Sequence, residues 1–417
     1  MKSKKGIIAL LIILIIIFVI FIVVKMYRNG KDKTNDNLNS NVENINTPKE
    51  PTIEEKVDEE IKGMNLREKI GQMLVISYSG TEYTDKLDEL LNSVKPGGFI
   101  LFKDNISSYY STADYISRIK DTAIIPMLMT VDQEGGRVQR IKDVSDVNVQ
   151  NIPDMYTLGK TSDVSLSYDV GKIVAEELSA FGVNTDYAPV LDIFSNPNNT
   201  VIGTRAFGSD AQTVINMAIP FANGMKENGI IPTYKHFPGH GDTDADSHIE
   251  LPVVTKTKEE LYKNELLPFK AAIENGAQMI MVAHIALPNV TGDYTPASLS
   301  DKIVNGILRE ELGYNGVVIT DGVNMKALAD NYSVKEICSY SINAGVDIIL
   351  MPPDPIETVN IIEGLVNEGI ITEQRIDESV KRILLMKHNN GLYDKKDLNK
   401  DNIGTKEHID IINKVKV

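Results

Sequence analysis

The sequence predicts an α/β fold, a (β/α)8 TIM-type barrel carried behind an N-terminal transmembrane helix and a disordered tether. Three observations lead there. Eight short apolar, β-branched runs recur between residues 73 and 351. Amphipathic helical stretches separate them, the alternation that gives a parallel sheet covered on both faces. Ionisable residues also cluster just after several of these runs, at the strand ends where barrels of this kind carry their active groups.

Taken in order, residues 6–24, GIIALLIILIIIFVIFIVV, are uncharged and almost wholly apolar, close to the roughly 20 residues that cross a bilayer. Lys2, Lys4 and Lys5 precede this run and Lys25 and Arg28 follow it, with no A-x-A-like exit and no cysteine to take a lipid. Residues 1–28 therefore read as an uncleaved signal anchor, a single-pass membrane segment with its lysine-rich head inside and the rest of the chain outside the cell. Cleavage would instead release a secreted protein. Residues 29–52 are polar and asparagine-rich with no apolar period, as a disordered linker is. The barrel is expected over residues 53–395. Residues 396–417 form a C-terminal tail too short to be a domain.

Within the barrel the strand candidates are 73–76, 98–102, 124–131, 183–190, 230–234, 278–283, 316–320 and 346–351. Val170, Ile173, Val174, Leu178 and Phe181 share one helical face, and Gly182 follows as a stop. Ile376, Val380, Ile383 and Leu384 repeat the pattern before Gly391. An open doubly wound sheet is the competing architecture. It would begin with a glycine-rich phosphate turn after its first strand, and none is present.

Composition narrows the function. With 417 residues and 42% hydrophobic content a large core is available, and a net charge of −15 argues against nucleic acid as a partner. Cys338 is the one cysteine, which excludes intrachain disulfides and cysteine-rich metal sites. It lies in an apolar-periodic stretch and reads as a buried helix residue.

The chemistry concentrates in KHFPGHGDTDADSH, residues 235–248, which follows the fifth strand. So many polar groups cannot be buried unpaired, so this is a loop that a scaffold presents. Strand three ends at Asp132, strand five at Lys235 and His236, strand six at His284 and strand seven at Asp321. A carboxylate at Asp321 is placed to be a nucleophile or an electrostatic stabiliser, and equally to cap a helix. Asp246 and His248, two apart in an extended loop, can face the same way, and an aspartate beside a histidine keeps a proton available near neutral pH. Asp132, Arg140, Arg205, Lys235 and His236 supply the donors and the acceptor that sugar hydroxyls need. His236 and His240 have an H-x3-H spacing, but metal-bearing barrels begin with H-x-H at strand one, where this chain reads MLVISYSG. No metal and no cofactor are expected.

These residues are recognisable as a set. KHFPGHGDTDADSH, DQEGGRVQR, IGTRAFG and TDGVNM resemble glycoside hydrolase family three, specifically its bacterial β-N-acetylglucosaminidase (β-hexosaminidase) branch in single-barrel form, over about residues 55–390. The resemblance implies Asp321 as the nucleophile of a glycosyl-enzyme intermediate, and His248 with Asp246 as the acid/base dyad. Asp132, Arg140, Arg205, Lys235 and His236 then match sugar-binding positions. Thr320–Asp321–Gly322 departs from the more usual Ser-Asp-Ala or Ser-Asp-Asp, which makes the nucleophile's local hydrogen bonds particular to this chain.

The implied activity is retaining, exo-acting hydrolysis of terminal β-linked N-acetylglucosamine, with peptidoglycan fragments or other N-acetylglucosamine-containing glycans as substrates. A phosphorylase or a β-glucosidase on the same scaffold is the alternative. A membrane-tethered, non-catalytic glycan-binding protein is the rival from another class. A monomer is the favoured state.

Overall fold

The structure is a computed structural model, and it describes residues 50–243 and 251–415. Eight strands form in the expected order: β1 Leu74–Ile76, β2 Gly98–Leu101, β3 Leu128–Val131, β4 Thr185–Asp186, β5 Ile231–Phe237, β6 Met279–Val282, β7 Val317–Gly322 and β8 Ile348–Leu350. Each pairs in parallel with its sequence neighbour, and β8 returns to β1 to close the barrel. Strands this apolar can exist only when both faces are covered, and nearly every strand residue is buried.

The strand expected over 183–190 shrinks to Thr185–Asp186. Pro189 has no amide to offer a ladder. The Asn184 side chain substitutes for backbone by accepting from the Met129 amide (2.9 Å) and donating to the Met127 carbonyl (2.9 Å). The segment still follows its neighbours through Tyr187 N to Val131 O (2.8 Å) and an isolated bridge from Val190 to Lys235.

The helices follow their sequence signals. Val164–Phe181 starts at Asp163, whose carboxylate accepts from the Leu166 amide, and ends at Gly182 in the left-handed region (φ 90°). Its apolar face, including Val170, Ile173, Val174, Leu178 and Phe181, is buried. Glu373–Asn389 buries Ile376, Val380, Ile383 and Leu384. Cys338 lies buried in Val334–Asn343, where burial pushes its thiol up to about 12. Near the C-terminus, Lys406–Val415 is a helix whose Ile411, Ile412 and Val415 are buried. It meets Val164–Phe181 through His408, whose ring nitrogens reach Glu176 (2.8 Å) and Glu177 (3.3 Å).

At the N-terminal ends of the strands, Asp347 is a rivet. Its two oxygens accept from the Val318 amide (2.9 Å), Arg309 (2.6 Å), Ser379 (2.7 Å) and Arg382 (3.0 Å), with Arg375 at 3.5 Å. Burial alone would raise its carboxyl, but the three arginines hold it below the ordinary range.

The expected membrane segment, residues 6–24, and nearly all of the linker at 29–52 lie outside the described residues. Among the described residues no helix is long and apolar enough to cross a membrane.

Candidate active site

The C-terminal ends of the strands form one rim, and two of those ends are irregular. The β5–β6 register shifts between Tyr234 and Phe237, and the β7–β8 register shifts between Ile319 and Gly322. Bulges of this kind re-aim side chains next to functional sites. Lys235 and His236 fall inside the first irregularity and Asp321 inside the second.

Asp321 is half-buried and shares the wall of a cavity of about 340 Å3 with Asp132, Arg140, Tyr187, Asn324 and Lys326, among others. Its Oδ1 accepts from the Gly322 amide (2.7 Å), and its Oδ2 bonds no described residue. Burial alone would raise this carboxyl. The imidazoles of His236 and His284, the Gly322 amide and Lys235 outweigh that and hold it below the ordinary carboxylate value. An ionised carboxylate on a cavity wall, with one oxygen that no described residue engages, is what a nucleophile requires. The helix-cap alternative does not hold, because Asp321 lies within β7. Thr320, the unusual residue before it, accepts the Leu350 amide through its hydroxyl (3.0 Å) and so replaces a missing rung beside the bulge.

Behind the cavity wall lies a charge network. Lys235 Nζ donates to Asp132 (2.8 Å) and pairs with Glu134 (2.6 Å). Glu134 takes a two-pronged contact from Arg205, through Nε (2.7 Å) and Nη2 (2.8 Å), the geometry that makes arginine–carboxylate pairs strong. Burial opposes ionisation of Glu134, but Arg205 and Lys235 hold its carboxyl far below the ordinary range. The reciprocal pairing keeps Lys235 charged against its burial. Arg140 reaches Asp132 more loosely (3.4 Å). His236 donates from Nδ1 to Asp192 (2.6 Å), with Nε2 3.4 Å from Arg205. His284 is tied to Ser298 (2.7 Å) and through Nε2 to the Gly322 carbonyl (3.1 Å), which fixes the backbone next to Asp321.

Of the residues singled out in the sequence, Asp321, Asp132 and Arg140 therefore share the cavity wall. Lys235 and His236, both buried, and the half-buried Arg205 form the layer behind it. Asp246 and His248 lie outside the described residues. The chain on either side of residues 244–250 is anchored. His240 N donates to Asp192 (2.6 Å), Asn199 donates to the His240 carbonyl (2.8 Å), and Pro252 and Val254 bond the backbone of Ala286 (2.8 Å each). Gly241 packs so closely on the Ile193 carbonyl that a Cβ would stand 1.8 Å from it. Lys256 joins the two sides by reaching Asp242 (3.2 Å) and Glu265 (2.5 Å).

Sequence reasoning missed Glu134, Asp192 and Asp186. Glu134 stood inside a quoted motif, DQEGGRVQR, and two cations, Lys235 and Arg205, expected at one rim with Asp132 were reason to look for a second carboxylate. Asp192 and Asp186 gave no local signal, since their partners are distant in the chain. Asp186 accepts the Gln133 amide (2.8 Å), its Oδ2 has no hydrogen-bond partner among the described residues, and burial raises its carboxyl to about 8. A larger hollow, about 420 Å3, opens at the opposite end of the barrel, but Met64, Leu91, Pro96, Ile125 and Met127 make it mainly apolar. The smaller cavity carries the convergent charges.

Comparison with known proteins shows the family of this barrel. The model of the glycosyl hydrolase family 3 N-terminal domain matches residues 65–386. A beta-hexosaminidase of Nitrosomonas eutropha is 33% identical over 298 residues, covering 70% of this chain and 84% of that protein. One from Haemophilus influenzae is 34% identical over 297 residues, covering 70% and 82%. Among solved structures, a glycoside hydrolase family 3 beta-N-acetylglucosaminidase from Paenibacillus superposes with a TM-score of 0.81 at 34% identity, over 84% of this chain and 68% of that one. A beta-glucoside phosphorylase gives the same TM-score of 0.81 at 28% identity, over 87% and 66%.

Proposed function

This chain belongs to glycosyl hydrolase family 3 and is a glycoside hydrolase, and from that premise we propose that it is a retaining, exo-acting β-N-acetylglucosaminidase. The observation that carries the reading is Asp321, held ionised on the wall of a cavity shared with Asp132 and Arg140, with one oxygen that bonds no described residue. The names of its relatives supply the sugar.

In the first step a carboxylate oxygen of Asp321 bonds the anomeric carbon as the glycosidic C–O bond breaks, and His248 gives its proton to the departing oxygen. In the second, water gives a proton to His248 as its oxygen displaces Asp321. Asp246 orients His248 and favours its protonated form. Asp132 and Arg140 grip hydroxyls directly, while Lys235, His236 and Arg205 fix the positions and charges of that grip. Ordinary retaining enzymes set two carboxyl groups about 5–5.5 Å apart, and an imidazole on a loop replaces one of them here. The natural substrates are peptidoglycan fragments, met by a barrel tethered outside the cell through residues 1–28.

Hydrolysis of aryl β-N-acetylglucosaminide against aryl β-glucoside tests the reaction and the sugar together, and faster turnover of the glucoside defeats the reading. The likeness to a phosphorylase makes phosphate the competing acceptor. Sugar 1-phosphate formed in phosphate buffer, in place of free sugar, would assign that activity. His248→Ala is expected to slow substrates with poor leaving groups by about 10²–10⁴-fold and activated aryl substrates far less. Equal losses would remove His248 from the acid/base role.

A further inference from the structure

Among the described residues three non-glycine residues have a left-handed φ: Lys95 (51°), Ser162 (52°) and Met351 (56°). Two have ordinary structural reasons. Lys95 caps the end of helix Asp85–Val94, and Ser162 follows helix Met155–Lys160. Met351 ends no helix. It follows β8 directly, it is bulky, and it precedes Pro352, a place where the backbone ordinarily favours extended conformations. Its amide still bonds the Val75 carbonyl (2.8 Å), so the β-ladder is kept while the side chain is turned to line the cavity. Backbone strain of this kind at a cavity wall is a reason to look for a function.

The cavity has two sides. Asp132 and Arg140 follow β3, and Asp321 ends β7. Between them, across β8 and β2, the wall is apolar: Leu350, Met351, Ile100 and Phe102. Gly322 pairs in register with Leu350, so Met351 lies just beyond the rung beside Asp321. A sugar whose anomeric carbon sits at Asp321 carries its C2 substituent on the adjacent ring carbon. N-acetylglucosamine and glucose differ at C2 alone, by an acetamido group that ends in a methyl.

We infer that Met351 is a specificity-determining residue whose left-handed backbone holds its thioether against the acetamido methyl of the bound sugar. This rests on the N-acetylglucosaminidase reading. A methyl-sized apolar contact discriminates by roughly 10–200-fold.

The test is the kcat/KM ratio of aryl β-N-acetylglucosaminide to aryl β-glucoside in wild type, Met351→Ala, Met351→Gly and Met351→Leu. The Ala and Gly variants are expected to lose about tenfold or more of the ratio, with the loss on the acetylated sugar. The volume-conserving Leu variant should hold it within about threefold. Met351→Gly should melt at a higher temperature than Met351→Ala, because glycine accepts the left-handed φ. That difference separates backbone strain from the contact. A wild-type preference that Met351→Ala leaves intact, or equal losses on both sugars, overturns the inference alone. A wild type with no preference for the acetylated sugar defeats the functional reading and this inference with it.

Discussion

At the lower end of the barrel Asp347 meets Arg309, Arg375 and Arg382, and at the upper end Asp132 and Glu134 meet Lys235, Arg205 and Arg140. The ingredients are alike: buried carboxylates, matched cations and short contacts. In the lower cluster the carboxylate is filled. Both oxygens of Asp347 accept hydrogen bonds, and Arg309 and Arg375 give further donors to the carbonyls of Ile342, Tyr314, Gly316, Gly345 and Val346. The upper cluster opens onto a cavity, and beside it stand Asp321 and Asp186, each with one oxygen that bonds no other described residue. A saturated ion cluster fixes the positions of elements, whereas an unsaturated one has something to offer a ligand.

The largest expected effect follows from that difference. Asp321→Ala should lose about 10³-fold or more in kcat on every substrate, as removal of nucleophiles does elsewhere, with little change in Tm. Substantial residual turnover of aryl N-acetylglucosaminide would move the nucleophile. Asp347→Asn should do the reverse. Asp347 is buried and its arginines are half-buried, so the loss of stability should fall short of the ~3–5 kcal/mol of a fully buried pair, read as a lower denaturation midpoint, while kcat/KM of the folded enzyme stays near wild type. If Asp347→Asn cut kcat/KM and left stability alone, the division between the two ends would fail.

The smallest effect concerns pH. Burial lifts the Asp186 carboxyl to about 8, so the folded protein keeps a proton that the unfolded chain gives up at its ordinary, lower value. The stability this adds is full in acid, below the unfolded carboxyl's range, and is lost as pH rises toward about 8. Asp186→Asn retains an oxygen for the Gln133 amide and removes the titration. Its Tm should therefore fall less than that of wild type between about pH 5 and 8. Parallel Tm curves would show that Asp186 contributes nothing to the slope.

The fold was legible because its signals are local and repeated. Continuous apolar runs such as MIMV at Met279–Val282 and helical faces such as that of Val164–Phe181 are readable within one element. The strand ends then pointed to Asp132, Asp321 and Lys235, because parallel strands place all their C-terminal ends on one rim. The rest depended on pairs far apart in the chain. Asp192 reaches His236 across 44 residues, and Glu134 reaches Arg205 across 71, and no spacing announces either. Nor does any pattern announce the bulges that aim Asp321 and Lys235, or the backbone turn at Met351, where proline alone would suggest an extended chain. The strand expected over 183–190 was overextended because apolar composition counts residues and does not show which amides a proline has removed.

The Gly322 amide, which donates to Asp321 at 2.7 Å, turns the backbone into a reporter. An ester oxygen is a poorer acceptor than a carboxylate, so a glycosyl ester on Asp321, as the proposed mechanism requires, would weaken this bond and should displace the Gly322 amide proton in an NMR spectrum. A slow 2-fluoro sugar that traps the ester would move that resonance in step with the loss of activity. A resonance that stays in place while the enzyme inactivates would mean that the label had landed on another side chain.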